Sequence, residues 1–189
     1  MGAPWLWLVR AVAASPQGLA QFSMSGPVCN DVTKTTPAVP RDATFKPGSP
    51  VKTSFFESGT TGTRLTLTGT VSGVTCGRIK GATVDFWQTD AAGVYDMTGY
   101  RFRGHQATNA TGGFELATVI PGAAKDRARH IGVNVSVPGK ADFWTEIFFP
   151  DDPLQATDRR FVKDLLAKVT PDPRTANAKS AVFDVILDL

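Results

Sequence analysis

The sequence predicts an all-β protein, an antiparallel β-sandwich with an extended N-terminal arm and one short helix. The first observation is that short apolar or alternating segments recur after residue 60, separated by turn-forming residues. The second is composition: 18 Gly, 13 Pro and 12 Phe favour a loop-rich β protein over a helical bundle. The third is length, since 189 residues suffice for one ordinary domain with a tail.

Six segments have the pattern of short strands, and together they define a predicted sandwich domain over residues 61–189. They are 64–73 (RLTLTGTVSG), 82–88 (ATVDFWQ), 112–120 (GGFELATVI), 130–137 (HIGVNVSV), 143–149 (FWTEIFF) and 181–189 (AVFDVILDL). In the first segment, Leu65, Leu67 and Val71 fall on one apolar side. Turn signals such as Pro121-Gly122 and Pro138-Gly139 separate the segments.

One stretch has helical periodicity, and it spans Thr157–Lys168. Thr157 or Asp158 would cap its first turn, and Phe161, Leu165 and Leu166 would share one face. This is the short helix of the predicted fold.

Residues 23–60 are predicted to form an extended arm that wraps the sandwich. The segment is rich in Pro, Thr, Ser and Gly and has neither a helical nor a strand period. Phe45, Phe55 and Phe56 are its candidate anchors.

Residues 1–22 are predicted to be a signal-like or disordered segment. An apolar start is followed by small residues, as in a secretory signal, with cleavage expected after Ala14 or Ala20. The apolar run is too short to span a membrane. We therefore expect export to the periplasm or outside the cell, or a cytoplasmic protein if the segment is not a signal. Cys29 and Cys76 are compatible with one disulfide, which two cysteines alone do not establish.

Charge and residue counts exclude several functional classes. The net charge is +3, and no block of consecutive Lys or Arg forms a nucleic-acid-binding footprint. With two Cys and two His, the chain excludes cysteine-rich zinc modules and metal centres that need three histidines. Motifs for a serine nucleophile elbow, a phosphate-binding loop and a zinc protease are absent.

The residues suited to chemistry lie instead in three short segments, 94–106, 127–130 and 144–146. These segments belong to a longer series of motifs: 69–96 (GTVSGVTCGRIKGATVDFWQTDAAGVYD), 99–122 (GYRFRGHQATNATGGFELATVIPG), 127–139 (RARHIGVNVSVPG) and 146–153 (EIFFPDDP). In this order they resemble the intradiol ring-cleavage dioxygenases, in particular the small, single-domain, often exported branch. The resemblance covers roughly residues 35–170. It implies a β-sandwich that holds a non-haem ferric ion and opens catechol-type rings between the two hydroxyls.

The resemblance also implies an iron site made of two tyrosines and two histidines, and this chain departs from it. Tyr95 matches the first tyrosine, and His130 matches the first histidine. Ala124 stands at the second tyrosine position, and Gly132 stands at the second histidine position. Two of the four ligands are missing, so we expect no metal and no cofactor. The alternative is iron in a rebuilt site of Tyr95, His130 and Glu146, with His105 as a further candidate ligand.

Two neighbouring positions carry charge. Arg127 matches a basic residue that orients substrate in the family, and Glu146 replaces a glutamine of the family. A buried Glu146 needs a partner, for which Arg127 is the candidate. Arg127 and Arg129 should lower the pKa of His130, which would keep its imidazole neutral and suited to act as a base.

These residues predict a metal-independent acid–base enzyme of the cyclase, isomerase, dehydratase or hydrolase type, acting on an aromatic or polyketide-like small molecule. The predicted catalytic residues are Tyr95, Arg127, His130 and Glu146, and the predicted substrate-binding residues are Tyr100, Arg103, His105 and Trp144. Structural roles remain open: a core tyrosine for Tyr95, a backbone-bonded histidine for His130, an ion pair for Glu146 and a scaffold position for His105.

Two other functions remain open: a non-catalytic binder of a phenolic ligand or a protein partner, and a surviving dioxygenase with a rebuilt iron site. The resemblance to the family suggests a homodimer through the arm. The expected partner is a small molecule, with no nucleic acid and no membrane span.

Overall fold

The computed structural model describes residues 34–189, so the predictions for residues 1–22 and for Cys29 lie outside the described residues. Its nine strands are β1 (Arg64–Gly73), β2 (Thr83–Gln88), β3 (Arg103–Ala107), β4 (Gly113–Val119), β5 (His130–Ser136), β6 (Phe143–Phe148), β7 (Lys168–Pro171), β8 (Lys179–Val182) and β9 (Val185–Leu187). Two short 3₁₀ turns, Pro153–Ala156 and Lys163–Leu165, follow β6. Cys76 is disulfide-bonded.

The strands form two sheets that pack face to face. One sheet has the order β3-β2-β5-β6 and is antiparallel throughout. The other has the order β4-β1-β8-β7, and β9 pairs with the far end of β1. In this second sheet β1 pairs in parallel with β8 and β9, while the remaining pairs are antiparallel. The predicted all-β sandwich is confirmed.

The core lies between the sheets, and the alternation in the sequence predicts which residues enter it. Leu65, Leu67 and Val71 of β1 are buried, as are Val84 and Phe86 of β2. All six predicted segments form strands. The last segment divides into β8 and β9, where the Asp184 carboxylate accepts hydrogen bonds from the backbone and hydroxyl of Thr70.

Two strands were not predicted. β3 (RGHQA) lacks apolar alternation, but its backbone pairs with β2 on one side and with the arm on the other. β7 is a short strand at the edge of its sheet, and it pairs with β8 alone. In β3 and β7, backbone pairing with neighbouring segments determines the strand conformation, and the alternation of apolar residues does not.

The predicted helix over Thr157–Lys168 is wrong. Val162 and Leu166 have extended backbone, and a single 3₁₀ turn lies between them. The Asp158 carboxylate, expected to cap the helix, accepts bonds from the Arg127 side chain and the backbone of Ala128. Asp158 also accepts a hydrogen bond from the backbone amide of Arg160, as a helix cap would, but the chain beyond it pairs with Phe148 of β6 through Leu166 and Ala167. This pairing overrides the local helical tendency.

The arm closes the open side of the sandwich, as the sequence predicted for this part of the chain. Val51 forms a bridge to His105 on β3, and Ser54 forms a bridge to Ala117 on β4. Phe55 follows these bridges and is fully buried in the core. The arm therefore joins one edge of each sheet.

The outer face of the β3-β2-β5-β6 sheet, which points away from the core, bears the residues of interest. The strand register places Arg103, Trp87, Gly132 and Glu146 side by side across the four strands. His130 lies two residues before Gly132 on β5 and therefore faces the same way. Among residues 34–189, no helix has the length and apolar character needed to cross a membrane.

The burial of Phe55 predicts that the arm contributes strongly to stability. Replacing Phe55 with Ala should lower the free energy of unfolding by about 3–5 kcal/mol, because it removes a buried ring and leaves a cavity. Val51→Ala, at a residue of the same arm that is 75% exposed, should change it by less than about 0.5 kcal/mol. Urea denaturation of both variants measures the difference, and equal losses would contradict this role of Phe55.

Candidate active site

The centre of the site is a direct hydrogen bond between Tyr95 and His130. The Tyr95 hydroxyl lies 2.9 Å from Nε2 of His130. His130 begins β5 and is 3% exposed, whereas Tyr95 comes from the loop between β2 and β3. The structure thus brings together two of the four predicted catalytic residues, although they lie 35 positions apart in the chain.

The second nitrogen of the imidazole fixes its tautomer. Nδ1 of His130 lies 2.7 Å from the carbonyl oxygen of Ala128, which can only accept a hydrogen bond. Nδ1 therefore carries the hydrogen when the ring is neutral, and Nε2 offers a lone pair. The Tyr95 hydroxyl donates to that lone pair.

The surroundings keep both groups uncharged. Burial, followed by the nearby charge of Asp42, raises the pKa of Tyr95 well above its usual range. Burial lowers the pKa of His130. The sequence predicted the direction for His130 but assigned it to Arg127 and Arg129. Burial is the larger cause, and Glu146 acts in the opposite direction.

The loop that carries Tyr95 is held by Asp96. The Asp96 carboxylate accepts hydrogen bonds from the backbone of Thr98, Gly99 and Arg101, which lower its pKa strongly. Arg103, buried on β3, donates to the backbone oxygen of Asp96 and lies 5.8 Å from the Tyr95 ring centroid. Arg103 is therefore positioned to hold the loop and the tyrosine ring.

An ion-pair network lies beside the dyad. Glu146 is buried, and its Oε2 accepts a hydrogen bond from Nη2 of Arg127 at 2.6 Å. The pairing that the sequence predicted is present. Arg160 donates to the other oxygen of Glu146 at 2.9 Å and 3.1 Å. Nε of Arg127 lies 3.0 Å from both oxygens of Asp158.

The arm supplies residues that the sequence analysis missed. Oδ1 of Asp42 accepts bonds from the backbone and the hydroxyl of Thr44, at 2.7 Å and 2.5 Å. The Thr44 hydroxyl in turn accepts a bond from Nε1 of Trp87 at 3.1 Å. The Asp-x-Thr spacing of this turn was visible in the sequence, but nothing there placed it against β5.

Asp42, His130 and Glu146 also form a group that could hold a metal ion. One ligand atom from each lies within 4.8 Å of the other two. Carboxylate and imidazole are common ligands of transition metals. Both oxygens of Glu146 already bind arginines, however, and one oxygen of Asp42 binds Thr44.

Gly132 and Ala124, at the two positions where the family resemblance implies further iron ligands, have different surroundings. Gly132 lies under the indole of Trp87, and a Cβ atom there would come within 2.1 Å of Cε2 of that ring. A longer side chain at Gly132 requires the indole to move. Ala124 lies in a turn, where it forms a bridge with Arg127. Its methyl group offers no metal ligand.

The remaining predicted substrate-binding residues do not join the dyad. Tyr100 donates to the carbonyl of Pro47 in the arm, 2.8 Å away. His105 lies 3.0 Å from the hydroxyl of Ser49. Trp144 packs edge-on against Trp87 and against Phe45, which covers both indoles.

Solved structures with the same fold include three informative relatives. The dioxygenase domain of a dioxygenase–carbohydrate-binding protein fusion from Streptomyces sp. SirexAA-E is 41% identical, with a TM-score of 0.77 over 82% of this chain and 99% of that domain. The 3-chlorocatechol 1,2-dioxygenase of Rhodococcus opacus 1CP is 19% identical, with a TM-score of 0.71 over 82% of this chain and 72% of that one. An intradiol ring-cleavage dioxygenase of Tetranychus urticae is 21% identical, with a TM-score of 0.70 over 82% and 94%.

Among curated proteins, no sequence matches this one significantly. The sequence profile of the family described as dioxygenase matches residues 43–188. This span contains the sandwich and most of the site described above. Together with the 41% identity to the Streptomyces domain, it shows that the chain belongs to the intradiol dioxygenase family.

Proposed function

We propose that this protein is an iron-independent member of its family that uses Tyr95 and His130 as an acid–base pair on an aromatic or polyketide-like small molecule. The reaction class is cyclisation, isomerisation, dehydration or hydrolysis. The observation that carries the proposal is the 2.9 Å hydrogen bond between the two side chains, in a setting that keeps both neutral. A neutral phenol joined to a neutral imidazole can move a proton in either direction.

The proton route follows from the tautomer. The Tyr95 oxygen accepts a proton from an acidic O–H or C–H of the substrate while its own proton passes to Nε2 of His130. The products of this step are a substrate anion and an imidazolium. Glu146 and Asp42 raise the pKa of His130, so their charges stabilise the imidazolium. Return of the proton along the same route completes the reaction.

Arg127 is proposed to stabilise the anion. Its side chain is 19% exposed, so the guanidinium is partly accessible while its Nε and Nη2 are held by Asp158 and Glu146. A guanidinium held in this way needs no rearrangement when negative charge develops on a substrate. Phenols and 1,3-dicarbonyl compounds form such anions, which is why we infer an aromatic or polyketide-like substrate.

The donor set supports the absence of the family's ferric centre. Tyr95 and His130 bind each other, Ala124 supplies no ligand, and the space beside Gly132 holds the Trp87 ring. Two phenolates and two imidazoles, which the family resemblance implies for the ferric ion, are not available at these positions.

We also propose that the protein is exported, because the disulfide at Cys76 suits an oxidising compartment.

The first prediction concerns iron. Protein purified from iron-rich medium should carry no stoichiometric iron and should lack the visible charge-transfer band of tyrosinate bound to Fe(III), because two of the four ligands are missing. Elemental analysis and an absorption spectrum measure this. A red-brown protein with one iron per chain would overturn the proposal.

The second prediction concerns the dyad. A panel of phenols and 1,3-dicarbonyl compounds would be screened for binding through quenching of tryptophan fluorescence, and bound compounds would be tested for turnover. Tyr95→Phe keeps the ring and removes the hydroxyl, so kcat should fall by about 10²–10⁴-fold while ligand affinity changes little. Tyr100→Phe, which removes the other phenol and leaves the dyad intact, should reduce kcat far less. Turnover by Tyr95→Phe at the wild-type rate would refute the acid–base role.

A second candidate function is a dioxygenase with a rebuilt metal site. The observation that favours it is the proximity of Asp42, His130 and Glu146, with ligand atoms within 4.8 Å. Such a site would replace the missing tyrosine and histidine with carboxylates, and the metal would supply the activation of oxygen and substrate.

Calorimetric titration with Fe²⁺, Mn²⁺ and Zn²⁺ separates the two candidates. The acid–base proposal expects no stoichiometric binding to the wild type. The metal candidate expects binding of one ion that is lost in Asp42→Asn and kept in Asp142→Asn, an exposed carboxylate remote from the cluster. Binding that survives Asp42→Asn would exclude the three-residue site.

A further inference from the structure

We propose that Arg41 binds a carboxylate group of the ligand and makes the site selective for aromatic or polyketide-like acids over the corresponding neutral compounds. This inference rests on the proposed function for the location of the ligand, and it adds an acidic group and the residue that recognises it. Arg41 lies in the arm, one residue before Asp42.

Arg41 is held at the edge of the site because both of its neighbours in the chain bind there. The carbonyl oxygen of Pro40 accepts a hydrogen bond from Arg160, which belongs to the ion-pair network beside the dyad. On the other side, a carboxylate oxygen of Asp42 lies within 4.8 Å of a ring nitrogen of His130. The backbone of Arg41 is therefore fixed beside the dyad from two directions.

The guanidinium of Arg41 lies over two aromatic rings. Its Cζ is 5.5 Å from the ring centroid of Phe45 and 5.6 Å from that of Trp144. These two rings pack edge to face, with 4.8 Å between their centroids, and Phe45 also packs against Trp87. Cation–π contacts attract the guanidinium to this part of the surface. The charge is therefore placed beside the site before a ligand arrives.

The N–H groups of Arg41 are free, in contrast to those of the other arginines around the dyad. Arg103, Arg127 and Arg160 each donate hydrogen bonds to oxygen atoms of the protein. Within residues 34–189, the guanidinium of Arg41 has no hydrogen-bond acceptor and no ion-pair partner, and the residue is exposed. Its donors are therefore available to a ligand.

The shape of a guanidinium matches a carboxylate. Its donors lie in one plane and form a fork whose spacing fits the two oxygens of a carboxylate. Aromatic rings contact the faces of that plane, so the donors along its edge stay open while the stacking persists. A neutral ester or phenol lacks the opposite charge that makes such a pair of hydrogen bonds strong. Arg41 therefore favours an acid.

The surrounding charges leave Arg41 without a counter-ion. The two oxygens of Glu146 bind Arg127 and Arg160, so that carboxylate is already engaged. Oδ1 of Asp42 accepts two hydrogen bonds from within its own turn. Among the described residues, no carboxylate oxygen lies within 4.0 Å of the Arg41 guanidinium. An acidic ligand would supply the missing partner.

Binding of matched acids and esters tests this role. The probes are para-hydroxybenzoate, para-hydroxyphenylacetate and para-hydroxycinnamate, which place the carboxylate at increasing distances from the phenol, together with their methyl esters. Calorimetric titration of the wild type should give, for at least one acid, a Kd about tenfold lower than that of its ester, because the ester cannot form the charge-assisted pair of hydrogen bonds.

Variants assign this preference to Arg41. Arg41→Gln should weaken binding of the preferred acid to the level of its ester, with affinity for the ester unchanged. Arg41→Lys keeps the charge without the planar fork, so it should recover only part of the preference. Arg78→Gln is the matched control, because Arg78 is exposed and precedes β2, at the opposite end of that strand from the Tyr95 loop. It should bind both compounds like the wild type.

Equal affinity of the wild type for each acid and its ester would overturn this proposal and leave the acid–base pair untouched, since the ligands still bind. An acid preference that survives Arg41→Gln would also overturn it. Loss of ester affinity in Arg41→Gln would contradict it as well, because Arg41 would then support the aromatic cluster and not the acidic group. If neither acids nor esters bind, the ligand class of the proposed function fails together with this inference.

Discussion

The rest of the site depends on the pairing of the buried Glu146 carboxylate with two arginines. Glu146 is 1% exposed, and a charge so fully removed from water needs close partners. Arg127 and Arg160 bind one oxygen each, and Arg160 also donates to the carbonyl of Pro40 in the arm. Strand β6, the loop before β5, the segment after β6 and the arm are thus joined through a single side chain. A neutral amide at this position could not balance two guanidinium groups.

This network determines how the dyad behaves. The charges of Glu146 and Arg127 oppose each other at His130, where the first raises and the second lowers its pKa, so burial decides the outcome. The imidazole is neutral, and its Nε2 accepts the hydroxyl of Tyr95. Tyr95 and His130, which match two of the iron-ligand positions that the family resemblance implies, therefore bind each other. In the proposed acid–base reaction, the paired arginines and carboxylates would stabilise either charge that a transferred proton leaves behind.

The sequence predicted the parts of this arrangement that local pattern controls. Alternation in β1 identified its buried side, and the desolvation argument identified Arg127 as the partner of Glu146. What escaped prediction depends on contacts between distant segments. Asp42 reaches the site because the arm lies against His130 and Glu146, and the helical period after Asp158 yields to the pairing of Leu166 and Ala167 with Phe148 of β6. No local pattern encodes either contact, so a periodicity argument fails at these places.

Gly132 and Glu146, which differ from the residues that the family resemblance implies, both affect contacts with the arm. Gly132 leaves room for the Trp87 indole against the strand, where its N–H donates to Thr44 and, through Thr44, orients Asp42. The buried carboxylate of Glu146 is paired with Arg127 and Arg160, and Arg160 also binds the arm that carries Asp42. A larger side chain at Gly132 would displace the Trp87 indole and disturb the Asp42 turn, whereas the hydrogen bonds of Glu146 involve neither Gly132 nor Trp87 and would stay in place. The fold accommodates Gly132 and Glu146 because both lie on the outer face of the sheet, away from the core between the two sheets.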